Sequence, residues 1–97
     1  MTKSKKIDGV IEAVRYKNGQ IAVVRVYERR GPTYTDIIHL DRKTLVHRLQ
    51  EGKQYFTGRR ENLMASTFSL GKQVQVINDF VTTHNDSLHD DIEAPVF

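Results

Sequence analysis

Asn18-Gly19, flanked on both sides by runs rich in β-branched residues, constrains this chain more than any other pair of residues. A two-residue hairpin loop of type I′ needs positive φ at both central positions, and Asn-Gly adopts that conformation at the least cost. The pair predicts a hairpin over residues 7–16 and 20–29, with Lys17 opposite Gln20. In unbroken register one face carries Ile11, Ala13, Val24 and Val26. The other carries Tyr16 opposite Ile21, Val14 opposite Val23, Glu12 opposite Arg25 and Val10 opposite Tyr27. Opposed charges stabilise an antiparallel pair, so Glu12 with Arg25 and Asp8 with Arg29 mark the second face as the solvated one. A one-residue slip separates both charge pairs, so side-chain pattern and turn chemistry agree on the register. The face with Ile11 and Val26 is expected to be the core.

Further along, Gly31-Pro32 breaks the chain, and 33–40 reads as a third strand with β-branched residues and an aromatic. Asp41 suits the N-cap of a short helix that carries Leu45, Val46 and Leu49 on one side, and Gly52 suits its C′ position. A helix of about ten residues does not stand alone in water, so its apolar side must dock on the sheet. A fourth strand is expected at 53–57 around Tyr55-Phe56, followed by a polar loop near Arg59-Arg60-Glu61-Asn62. A further strand is expected over 65–70, a turn at Gly71-Lys72 and a last alternating strand at 73–77. The order is β-β-β-α-β-β, a mainly β chain. In this order of elements it resembles the OB-fold barrel, and an SH3-like barrel fits as well; the expectation is a small β-barrel with one short helix. Gly9 within the first strand suits a strand that must bend.

A length of 97 residues fits one domain, placed at 7–81. Residues 1–6 are expected to fray. No cysteine is present, which excludes a disulfide frame and any thiolate nucleophile or ligand. No apolar run reaches the roughly 18 residues of a membrane span, and the basic start lacks an apolar stretch behind it, so a cytoplasmic location is expected. Charge is divided unevenly: all 15 Lys and Arg lie within residues 1–77 beside 7 acids, whereas 78–97 holds 5 acids and no Lys or Arg. Residues 82–97 therefore read as a flexible acidic tail with too little apolar surface to offset chain entropy. That tail is expected to solubilise the domain, or to fold back on its basic side as a weak electrostatic screen.

The sequence holds no catalytic template. There is no nucleophile elbow, Phe68-Ser69-Leu70-Gly71-Lys72-Gln73 lacks the upstream glycine and the hydroxyl of a phosphate loop, and no Gly-x-Gly-x-x-Gly occurs. His39 and His47 fall on separate elements and read as solvated or locally bonded. His84, Asp86, His89, Asp90 and Asp91 mix imidazole with carboxylate, but a flexible segment loses entropy on chelation, so no metal site and no cofactor are expected. Asn85-Asp86-Ser87 matches a glycosylation pattern with no secretory leader to make use of it.

What remains is binding. Arg29, Arg30, Arg59 and Arg60 are expected to converge at one rim of the barrel, where guanidinium groups suit phosphate. Arg25 with Tyr16, Tyr27 and Tyr34 offers cations interleaved with aromatics, the composition on which single-stranded RNA or DNA stacks. The leading expectation is a non-enzymatic module that binds nucleic acid through these eight residues. A second expectation uses Val10, Val14, Ile21 and Val23 on the same face as an exposed apolar surface for a protein partner or a homodimer.

Overall fold

A computed structural model describes residues 7–31, 33–60, 68–84 and 89–97. The expectations for residues 1–6 and for Asn85-Asp86-Ser87 lie outside those residues, as do Glu61-Asn62 of the expected polar loop and the first part of the strand over 65–70, while Arg59 and Arg60, expected in that loop, lie in a strand. The chain is mainly β, a seven-stranded sheet curled into a half-barrel with one helix. Its elements are β1 (Gly9–Lys17), β2 (Gln20–Arg30), β3 (Thr33–Tyr34), β4 (Ile38–Asp41), α1 (Arg42–Gln50), β5 (Tyr55–Arg60), β6 (Phe68–Ile77) and β7 (Phe80–Thr82). The strands run in the order β3-β2-β1-β5-β6-β7, with β4 pairing on β2 as well. All neighbours are antiparallel except β1 and β5, which run parallel over Gly9–Ile11.

The hairpin turns where the sequence places it, with φ of 54° at Asn18 and 77° at Gly19. Both ends keep the expected register, Lys17 facing Gln20 and Gly9 facing Glu28. Between them two bulges shift it: Glu12 is the extra residue on β1 and Ala22 the extra residue on β2. Ala13 therefore faces Arg25 and Val14 faces Val24, so the expected Glu12–Arg25 pair is not formed. The reason is apolar burial. An unbroken ladder would turn Arg15 and Ala22 toward the core; the bulges turn Val14, Tyr16 and Ile21 there instead, beside Ile11, Val24 and Val26. Fully burying each such aliphatic side chain contributes about 1.5–3 kcal/mol, more than a half-exposed ion pair returns.

Strand 33–40 is split in two. Thr35 donates its N–H to Glu28 O and accepts the Glu28 N–H on its own hydroxyl. One residue thus closes both bonds of that rung, and the chain bends at Asp36 before β4 rejoins β2. The helix begins and ends as its sequence implies. The Asp41 carboxylate accepts from Thr44 N at 2.8 Å. At the other end Gly52 (φ 91°) and Lys53 donate to Leu49 O and Arg48 O, a Schellman closure. Leu45 is fully buried, with Val46 and Leu49 packed beside it.

The expected turn at Gly71-Lys72 is absent; β6 runs straight through it. Here Thr57 of β5 stands opposite both Gly71 and Lys72, so the extra residue is on β6; the Thr57 hydroxyl accepts from Lys72 N at 3.1 Å, and the glycine sits in a bulge rather than a reversal. The reversal comes later, at Asn78-Asp79, where φ of 52° and 69° closes a second hairpin onto β7.

Beyond β7, residues 89–97 lie against the sheet. Ile92 is fully buried and Asp90 is 2% exposed. The Asp90 carboxylate accepts from Ile21 N (2.8 Å), Val81 N (2.9 Å) and Arg42 Nε (2.7 Å), tying β2, β7 and α1 together. Its neighbours Asp91 and Glu93 meet His84 and Lys72. The acids of this segment thus lie with Arg42, Lys72 and His84 and not with Arg29 and Arg30.

Candidate functional site

The two faces of the hairpin have different chemistry. Val10, Val14 and Ile21 are 0–3% exposed and Val23 is half-buried. The expectation that these four form an open apolar surface is corrected: the bulges place Val14 and Ile21 in the main core, and Val10 is covered on the opposite face beside Phe56.

On that opposite face Tyr27 is 5% exposed, with its ring 5.3 Å from Phe68, while Tyr34 lies edge-on to Phe68 at 4.7 Å. The Arg60 guanidinium lies over both rings, 5.2 Å from Tyr27 and 5.8 Å from Phe68. Burial, with the nearby Glu12 charge adding to it, raises the Tyr27 hydroxyl above the ordinary tyrosine range. Tyr34 donates to Ile7 O, and Tyr16, on the core side, accepts from Ile92 N. All three tyrosines are therefore packed against their own chain.

The arginines separate into two places. Arg29 and Arg30 are exposed at the end of β2. With Arg48 from α1 and Lys53 from the helix exit they line a cleft of about 210 Å³, whose other walls are Asp8, Glu28 and Tyr55. Arg48 Nε donates to Glu28 at 3.0 Å, and the buried Tyr55 hydroxyl donates to the same carboxylate. Burial and the Glu28 charge push the Tyr55 hydroxyl far above its usual range, so it stays a donor at any ordinary pH. Asp8, expected opposite Arg29, meets it through the backbone, Arg29 N donating to Asp8 O at 2.8 Å. The Asp8 carboxylate itself accepts from Gln54 N. Both acids of the cleft are thus engaged, while Arg29, Arg30 and Lys53 reach solvent. Arg60 joins this end of the sheet through Tyr27, two residues before Arg29.

Arg25 and Arg59 belong elsewhere, to a groove of about 660 Å³ between β5, β6 and residues 93–97. Glu12 also lines it, and its Oε2 is shielded from solvent with no hydrogen-bond partner among the described residues. Arg59 and Arg60 are adjacent in sequence but point to opposite regions because neighbouring strand residues alternate faces. Arg48 and Lys53, which the expected set omits, are positioned by the helix and its exit turn. The signal for them was a basic residue on each side of the Gly52 cap.

Comparison with protein-family models finds no match, and comparisons with curated proteins and with solved structures find none. No helix among the described residues is long and apolar enough to cross a membrane.

Proposed function

We propose that this chain is a non-enzymatic binding module, a small barrel of the OB-like or SH3-like kind, that holds nucleic acid by its phosphates. The observation that carries this reading is the cleft formed by Arg29, Arg30, Arg48 and Lys53, where four cations face two acids that are already hydrogen-bonded. Guanidinium forks match phosphate oxygens, and each contact made releases condensed counterions. With Tyr16, Tyr27 and Tyr34 packed against their own chain, the contact is with the sugar–phosphate backbone rather than with stacked bases. Such contacts position a protein on a nucleic acid without reading its sequence, so the expected ligands are structured RNA and DNA with little sequence preference.

A salt series tests this with short labelled RNA and DNA, affinity being followed by fluorescence anisotropy. Log affinity is expected to fall linearly with log salt. In the Arg29→Ala/Arg30→Ala double variant the slope is expected to drop by roughly 1.5, two phosphate contacts having been removed. Both side chains are exposed, so the variant keeps its fold. Absence of binding at low salt, or a double variant that binds like the parent, rejects the proposal.

A further inference from the structure

We propose that the edge of β1 at Val14 is a docking slot for an extended peptide bearing an aromatic side chain, and that residues 94–97 are its resident occupant. Among the described residues β1 pairs with β5 only over Gly9–Ile11, and no strand among them flanks its second half on that side. The last residues fill the vacancy: Val14 N donates to Pro95 O at 2.8 Å, and Phe97 N donates to Val14 O at 3.0 Å, a short parallel ladder. The Phe97 ring is the anchor, with Arg15 at 4.5 Å and Arg25 at 4.1 Å from its centroid. This is recognition by strand addition: backbone bonds supply attraction and a side-chain seat supplies choice.

The occupant is lightly held. Val96 is 70% exposed and Pro95 is exposed, whereas Ile92, a few residues earlier, is fully buried. Ala94 packs against the core, so it is residues 95–97 that can leave without disturbing the sockets of Asp90 and Ile92. The groove beside them has open volume, and the unpartnered Glu12 Oε2 is an acceptor for a donor that an incoming chain brings. Among the groove's lining residues outside the C-terminal segment Arg25 and Arg59 outnumber Glu12, and Glu93, which also lines it, immediately precedes the resident. The partner the slot fits is therefore an extended segment of another protein, acidic first and aromatic last. A tethered occupant competes at an effective concentration on the order of millimolar, so a partner binds to the extent that it outcompetes the resident segment.

The test titrates an amide-capped peptide, Glu-Ala-Pro-Val-Phe, into the isotope-labelled full chain and follows the Val14 and Arg25 amides by NMR. In the Phe97→Ala chain the peptide is expected to saturate those shifts at a concentration at least tenfold lower than in the unsubstituted chain. Adding Arg15→Ala and Arg25→Ala to that chain is expected to remove the response, as is changing the peptide phenylalanine to alanine. A Phe97→Ala chain with unchanged amide dispersion that binds the peptide no better than its parent overturns the proposal. Concentration-dependent shifts of the same amides without peptide also overturn it, because a second copy of the chain would then be the partner.

Discussion

The Asp90→Ala variant is expected to lose about 3–5 kcal/mol of stability, the usual cost of removing one partner from a buried, hydrogen-bonded ion pair. Three groups lose their acceptor at once: the Ile21 and Val81 amides and the Arg42 guanidinium, whose side chain is itself only 26% exposed. A domain of this size has roughly 5–15 kcal/mol in total, so the variant is expected to melt some 12–40 °C lower. Asp90→Asn, which keeps one carbonyl acceptor, should fall between the two. The pH dependence has a definite sign. Burial alone would raise the Asp90 carboxyl, but the bonds from Arg42, Ile21 and Val81 outweigh it and hold the group below the ordinary carboxylate range. A depressed folded value means that the stabilisation is complete above the unfolded pKa of about 4 and drains away as pH falls through the lower folded value. The parent should therefore lose stability in acid more steeply than the alanine variant. A loss below about 1 kcal/mol on chemical denaturation would show that residues 89–97 do not hold the sheet together.

Gly9→Ala is the second large effect. A Cβ at Gly9 would lie 2.4 Å from Tyr55 Cε2 and 2.6 Å from Cδ2, inside the radius of any real contact. The ring cannot yield cheaply: Tyr55 is 1% exposed and its hydroxyl is bound to Glu28. Overpacking costs about 1–3 kcal/mol, and an unmade buried hydrogen bond about as much again, so a total of roughly 2–6 kcal/mol is expected. The cause can be isolated with a double-mutant cycle. In a Tyr55→Val background the alanine should be nearly neutral, because a valine carries none of the δ, ε or ζ atoms it strikes. Equal penalties in both backgrounds would place the cost in the β1 backbone instead.

The parts of this fold that sequence makes legible are those set by neighbours a few residues away. Asn18-Gly19, the Asp41 cap and the Gly52 closure each act within one turn, and each appears where its chemistry calls for it. The bulges at Glu12 and Ala22 leave no such mark. A glutamate and an alanine in a strand are unremarkable, and the second bulge restores the phase that the first displaced, so the hairpin ends give no warning. Residues 82–97 read as a tail because composition totals their apolar content, whereas Asp90 and Ile92 depend on Ile21 and Tyr16, about seventy positions earlier. At the rim, Arg29 and Arg30 were legible as a basic pair beyond a strand. Lys53 joins them only because the helix ends where it does.

The paired bulges also bear on how this chain can change length. Deleting Glu12 alone, or Ala22 alone, takes out a residue that has no cross-strand partner, so every other pair of the first two strands keeps its match and the turn stays in place. Removing both together restores an unbroken ladder, with Ile11 still across from Val26 and Tyr16 still across from Ile21. Each of these two positions can therefore be lost by itself without moving the turn.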